Sequence, residues 1–189
     1  MVKDVFVHSL ALCESETIGS GTRIWPFAHV MQGAQVGRRC NVGGGSFIES
    51  KAVIGDDCTI KNGVQIWDGV RLGNHVFVGP NATFTNDLRP RADQGPNTFD
   101  LIETEGESGV TIGANATILC GIKLGANSFV AAGAVVTRDV PAHAMMVGSP
   151  ARTRGWVCHC GSSLPENLAC ECGRRYRLQD AQSGLLPEE

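Results

Sequence analysis

The feature that most constrains this chain is a period of six. Ile18, Ile24, Val30, Val36, Val42, Ile48, Ile54, Ile60, Ile66, Leu72, Val78 and Phe84 follow one another at that spacing without a slip. Phe6 and Leu12 extend the phase backward, and Ile112, Ile118, Leu124, Val130 and Val136 resume it. Such a period fits neither an amphipathic helix, which repeats near 3.6, nor helical solenoids with units of 30 or more residues. Strands alternate every two residues and can accommodate it, provided the chain turns at fixed intervals. A β-sandwich with fortuitous spacing would not keep phase over so many units.

The turning device sits three residues after each aliphatic. Gly21, Gly33, Gly45, Gly63, Gly69, Gly121 and Gly133 occupy this position, as do Asp57, His75, Asn81, Asn115 and Asn127. Most of these are residue types that reach positive φ cheaply, which accounts for the 24 glycines. The next residue is small or β-branched, as at Thr22, Ala28, Cys40, Ser46, Cys58, Ala116 and Ala134. Each hexad thus offers a large inward aliphatic, a tight corner and a small inward residue. Three hexads close a triangular coil of 18 residues, and stacked coils pair as parallel strands about 4.8 Å apart. The expected fold is all-β, a parallel β-helix over residues 1–152.

Between Phe84 and Ile112 the spacing is 28, so Thr85–Gly109, with its prolines and glycines, is expected to leave the coil and return. Loops longer than about 12–15 residues in a compact domain are usually functional or disordered, and an idle surface insertion is the alternative. After Val136 the register ends, and residues 153–178 read as a separate cysteine-rich module with a flexible tail at 179–189. Of eight cysteines, Cys40 and Cys58 fall at small inward positions and read as core. Cys158, Cys160, Cys170 and Cys172 form two short pairs, each followed by glycine, and read as a small zinc ribbon with a structural metal. A metal-free thiol tail or a labile disulfide pair stays open, and His159 is a competing ligand.

A formal charge of −3 over 189 residues argues against a dedicated nucleic-acid binder. No run approaches the roughly 18 apolar residues of a membrane span, and the N-terminus does not read as a signal peptide, so a cytoplasmic protein is expected.

The runs VQIWDGV (64–70) and GPNATFTND (79–87), a proline-containing excursion, and then GANATILCGIKLGANSFVAAGAVVTRDVP (113–141) carry a family resemblance. Together they resemble the nucleotide-sugar N-acetyltransferases of the hexapeptide superfamily. More narrowly, they are similar to enzymes that acetylate the 3-amino group of UDP- or dTDP-linked 3-amino-3-deoxysugars. The resemblance covers about residues 15–152. It implies a left-handed coil, acetyl-CoA as co-substrate, a homotrimer with interfacial active sites, and a role in supplying surface-glycan precursors. It also implies that Asn86 orients the sugar amine while the departing CoA sulfur accepts the proton. The substrate set would be Glu49, Lys61, Gln65, Trp67, Asp68, Asn86 and Arg89. The cofactor set would be Asn115, Gly121, Ala131, Gly133 and Ala134, with Arg138 and Arg152 on the phosphates.

Stacking arithmetic points to the same place. Residues 18 apart lie over one another, so Glu49, Trp67 and Thr85 form one column and Ser50, Asp68 and Asn86 the next. Trp67 could instead pack against the long loop or another subunit, and Glu49 and Asp68 could be solvated carboxylates. An amine near electron-withdrawing oxygens titrates around 7.7–8, so a strong base is not obligatory. Two other readings stand beside this one. In the first, an O-acetyltransferase uses a histidine base such as His75; in the second, the repeat is a non-enzymatic scaffold. A γ-carbonic-anhydrase-like zinc site ranks low, because His29 and His75 lack a third histidine at a matching stack position.

Overall fold

The computed structural model describes residues 4–92 and 101–188. The chain winds as a three-walled left-handed parallel β-helix, its walls being sheets of nine, seven and six strands. The first wall carries Arg23–Ile24, Asn41–Val42, Thr59–Ile60, Phe77–Val78, Thr111–Ile112 and Phe129–Val130. The second carries His29–Val30, Phe47–Ile48, Gln65–Ile66, Thr83–Phe84, Thr117–Ile118 and Val135–Val136. The third carries Gln35–Val36, Val53–Ile54, Val70–Leu72, Thr104–Gly106 and Lys123–Leu124. Pairing is parallel with the expected offset of one coil, as in Asn41↔Thr59↔Phe77 and Phe47↔Gln65.

Every residue of the six-residue inward series from Ile24 to Phe84 and from Ile112 to Val136 is buried, together with the small residues Thr22, Ala28, Cys40, Ser46, Cys58, Ala116 and Ala134. The coil therefore has one continuous apolar column at its centre. Two of its interior hydroxyls bond to backbone: Thr22 donates to the Gly37 carbonyl at 2.7 Å and accepts the Cys40 amide at 3.0 Å, and Ser46 donates to the Lys61 carbonyl at 3.0 Å. The buried hydroxyls of Thr104 and Ser128 have no partner among the described residues. The expected corners all take positive φ, from 54° at Asn127 to 91° at Gly33. Arg39 and Phe27 do so as well, at 54° and 64°. Arg39 is held there by two 2.6 Å contacts to the Asp57 carboxylate one coil above.

Several boundaries differ from the sequence expectation. Phe6 and Leu12 do not extend the inward phase. Phe6 pairs with Arg23 and Leu12 with His29, so both point outward, and Cys13 takes the inward place over Val30. One residue fewer between Cys13 and Ile18 causes the slip. The excursion also ends before Gly109, because Thr104–Gly106 already pairs with Val70–Leu72. Gly106 occupies a slot filled by leucine in the coils on either side, Leu72 and Leu124, which hid the re-entry. The acidic stretch Glu103–Glu107 thereby becomes third-wall surface, with Arg71 at 3.2 Å from Glu103 and Lys123 at 2.7 Å from Glu107. Part of the excursion, residues 93–100, lies outside the described residues.

The core also runs past Val136. Val140 pairs beside Leu124, and Ala144–Val147 adds to the first wall opposite Phe129 and Val130. Arg152–Trp156 then closes that wall as an antiparallel strand, so the boundary drawn at 152 falls inside a strand. This shields the exposed sheet edge of the last coil. The flexible tail expected over 179–189 is corrected too. Tyr176–Asp180 pairs antiparallel with Gly184–Pro187, and Leu185 is buried. Among the described residues no helix is long and apolar enough to cross a membrane.

Candidate functional site

Parallel stacking turns each edge of the prism into a column of corner residues. The edge between the second and third walls carries Glu49, Trp67, Asp68 and the loop root at Asn86, since Gln65 registers on Phe47 and Thr83. Above them on the same edge come Gly121 and Arg138, following Thr117–Ile118 and Val135–Val136. The column expected from stacking is therefore formed as geometry, with Gly121 and Arg138 continuing it along the same edge.

Its side chains are also structural. The Glu49 carboxylate accepts the Asp68 amide at 2.7 Å, and the Asp68 carboxylate accepts the Lys51 amide at 2.6 Å. Each carboxylate closes a corner one coil away and stays half-exposed, with oxygen lone pairs left to accept hydroxyl or amine protons. The Trp67 indole donates to the Phe84 carbonyl at 3.0 Å and leans on Phe47, with ring centroids 5.7 Å apart. Its polar end is spent on the coil, while a half-buried aromatic face remains beside the loop root. Thr85 is drawn into the scaffold, its hydroxyl accepting the Cys120 amide at 2.9 Å. The loop leaves through an Asp87 turn, whose carboxylate accepts the Arg89 amide at 2.7 Å and leaves the Arg89 side chain exposed.

The remaining expected residues fall on two other places. Lys61, Asn115, Ala131 and Gly133 lie on the edge between the first and second walls, and Ala134 is buried behind it. Gln65 sits on the second wall between the two edges. Within one chain the expected set thus frames a single wall from both sides. His75 is on the third edge, 4.0 Å from Asp57, and is not brought near Asn86. Arg138 and Arg152 line one groove of about 610 Å³ with Met146, Thr153 and Gln182.

The four module cysteines converge. Their sulfurs all lie within 4.8 Å of one another, with Cys158–Cys172 at 3.5 Å and Cys160–Cys170 at 3.6 Å. A tetrahedral ion with bonds of about 2.3 Å to sulfur sets ligands roughly 3.8 Å apart, so this donor set fits a thiolate-bound metal. The two halves share one turn. The Gly161 amide donates to the Cys158 carbonyl at 2.8 Å, the Gly173 amide to the Cys170 carbonyl at 2.9 Å, and both glycines have φ above 90°. The backbone amide of Arg174, with its guanidinium 3.4 Å away, holds the Cys172 thiol down at about 6. His159 turns away from the cluster, its Nδ1 lying 3.0 Å from Asn127 Oδ1.

Sequence reasoning missed the seam between coil and module. Asn127, at a corner of the last full coil, meets both His159 and His143, the latter at 3.3 Å. His143 donates from Nδ1 to the Val157 carbonyl at 2.8 Å and packs on the Tyr176 ring with centroids 4.7 Å apart. The Tyr176 hydroxyl lies 3.2 Å from Cys158 Sγ; burial, followed by that contact, pushes its pKa up to about 12. The only available signal was a lone tyrosine inside a cysteine-rich stretch.

Comparison with known proteins gives concordant findings. The bacterial transferase hexapeptide model matches residues 17–50 and 51–86, and the hexapeptide repeat of succinyl-transferase matches 107–138. The chain is 45% identical over 178 residues to dTDP-3-amino-3,6-dideoxy-alpha-D-galactopyranose 3-N-acetyltransferase of Aneurinibacillus thermoaerophilus, covering 93% of this chain and 92% of that one. It is 37% identical over 95 residues to serine acetyltransferase 4 of Arabidopsis thaliana, covering 50% and 24%. Among solved structures, UDP-N-acetylglucosamine acyltransferase from Campylobacter jejuni overlaps 79% of this chain and 74% of its own, with a TM-score of 0.52 and 17% identity, a likeness of fold.

Proposed function

The chain belongs to the hexapeptide-repeat acyltransferases, in the branch that includes the dTDP-3-amino-3,6-dideoxygalactose 3-N-acetyltransferase, and from that membership we propose that it acetylates the 3-amino group of a UDP- or dTDP-linked amino sugar. The single observation carrying this is the relative's 45% identity over 92% of its own length.

The neutral amine attacks the thioester carbonyl carbon of acetyl-CoA; a C–N bond forms, the C–S bond breaks, and one amine proton leaves with the CoA sulfur. Asn86 orients the amine, and the remaining lone pairs of Glu49 and Asp68 receive sugar hydroxyls. Lys61, Gln65 and Arg89 contact the nucleotide or the sugar rim. The pantetheine arm runs beside Asn115, Gly121 and Ala131 to Ala134. The active assembly is a homotrimer. The exposed apolar side chains Trp25, Phe27 and Phe77, on the first wall and its edge, support such packing between copies. The coil to residue 152 is the catalytic body, and the cysteine module binds a structural zinc ion in the cytoplasm. The product is a precursor for a surface glycan.

The reaction is tested by incubating the protein with acetyl-CoA and a panel of UDP- and dTDP-3-amino sugars while following free thiol. Release with at least one of them supports the reading, and no release with any overturns it. Replacing His75 with alanine separates amine from hydroxyl acetylation. N-acetylation by direct attack of a neutral amine survives, because that step needs no histidine base.

A further inference from the structure

The cysteine module does more than sit on the end of the coil. Its hairpin turn forms one side of the groove that holds Arg138 and Arg152, with Ala181 and Gln182 facing them across it. The turn is rigid. Asp180 Oδ1 accepts the amides of Gln182 and Ser183, both at 2.7 Å, and Oδ2 accepts the Ser183 hydroxyl at 2.8 Å. It is also pinned to the coil, with the Ala142 amide donating to the Ser183 carbonyl and the Leu185 amide to the Ala142 carbonyl, each at 3.2 Å. Gly184 makes that approach possible: its φ is 89°, and a Cβ there would collide with the Ala142 carbonyl.

The groove is built for an anion. Two guanidiniums line it against one carboxylate, Asp139, whose Oδ1 already accepts the Lys123 amide at 2.8 Å. Among the described residues neither Arg138 nor Arg152 makes an ion pair. Thr153 and Gln182 add neutral donors and acceptors. The position fits as well. Asn86, Gly121 and Arg138 are successive storeys of one edge, so the groove begins about 10 Å beyond the loop root along the coil axis.

We propose that Gln182 and the hairpin turn of the cysteine module are cofactor-binding elements, closing over the 3′-phosphorylated nucleoside-diphosphate end of acetyl-CoA opposite the two arginines. This rests on the acetyl-CoA reading above. The module then serves as the far wall of the co-substrate site, which gives a metal-held appendage a reason to be docked at that end. The acceptor's own nucleoside diphosphate shares the chemistry but belongs nearer the loop root.

The test is equilibrium titration of the full, zinc-loaded chain with CoA, 3′-dephospho-CoA and dTDP. The unaltered protein binds CoA more tightly than 3′-dephospho-CoA. Arg152→Glu weakens CoA by about tenfold, as loss of a charge-assisted phosphate contact should, and erases most of the preference over the dephospho form. Gln182→Glu acts in the same direction more weakly. Gly184→Val, which expels the turn without touching an arginine, lowers CoA affinity while zinc content and β-sheet circular dichroism hold. A CoA preference unchanged in Arg152→Glu and Gln182→Glu overturns the proposal, as does a loss of dTDP affinity in place of CoA affinity. Because binding is read without turnover, a protein that binds CoA in this way but acetylates no amino sugar sinks the reaction and leaves the groove standing.

Discussion

The molecule has two hydrophobic cores of different kinds. In the coil, buried aliphatics and small residues form one stacked cluster from Ile18 to Met146, interrupted on the third wall by Gly106 between Leu72 and Leu124. In the module, the buried cluster among the described residues is Cys158, Tyr176 and Leu185, with Trp156, Leu164, Leu168 and Cys170 partly buried against it. Repetition lets the coil supply its own stability, storey by storey. The module buries too little apolar surface to hold a unique fold by packing, so it depends on its thiol cluster and on the seam with the coil. That contrast makes opposite predictions for the same kinds of damage.

With the proposed zinc ion in the thiol cluster, its removal should be the largest single effect, and it should be local. Structural thiolate-zinc sites contribute about 10–16 kcal/mol of apparent binding free energy at neutral pH. Chelation, or Cys172→Ser, should free roughly one zinc per chain and make the segment after Trp156 protease-sensitive. Far-UV circular dichroism of the coil should persist. If the coil melts together with the module, the two regions are one cooperative unit and the contrast fails.

A cavity in the coil reads the other side. Ile112 is fully buried between Val78 and Val130 in the first wall. Ile112→Ala should cost about 2–5 kcal/mol in urea unfolding. Leu185→Ala in the zinc-loaded protein should cost less, because the thiol cluster still holds the module. Equal losses would show that packing, and not metal, dominates both.

Corner chemistry gives a smaller and cleaner comparison. Gly133 has φ 69° and nothing within 4 Å of where a Cβ would stand, so Gly133→Ala carries only the left-handed backbone penalty, about 1 kcal/mol. Asn115→Gly, at the same edge with φ 56°, should change stability by only a few tenths. A loss well above 1–2 kcal/mol at Gly133 would point to a second chain packed on that edge.

These contrasts explain what was legible in the sequence. Periodic placement of a large aliphatic, a left-handed corner and a small residue encodes the coil directly, because parallel stacking converts sequence spacing into spatial register. The same arithmetic placed Trp67, Asp68 and Asn86 on one edge. It failed where the period was broken by single residues: Cys13 inward in place of Leu12, Gly106 in a leucine slot, and Val140 arriving four residues after Val136. Spacing also says nothing about which polar groups the backbone uses. Glu49 and Asp68 read as substrate ligands or solvated carboxylates, and each also caps a corner of a neighbouring coil. The seam joining His143, Asn127 and His159 comes from segments with no shared register, so no periodicity could have announced it.

That seam gives the smallest effect, and one with a sign. Burial lowers the pKa of His143 below the ordinary histidine value, with a bond to the Val157 carbonyl opposing and His159 adding to the depression. The facing groups are His159, reached through Asn127, and the Tyr176 ring, neither of which offers a negative charge near neutral pH. The docked state therefore prefers neutral His143, while the undocked state protonates near 6.5. The contribution of His143 is fully present above that value and is lost as pH falls through it toward the lower docked value. His143→Asn keeps a side chain that tolerates the 63° φ at this position but cannot titrate. Limited proteolysis across the Trp156 segment, zinc-loaded, should quicken between pH 7.5 and 5.5 in the parent. In His143→Asn the histidine share of that change should vanish, leaving a flatter profile. Equal pH slopes in the two proteins would mean that the seam holds without a neutral imidazole, and that the module is fixed to the coil by its hairpin alone.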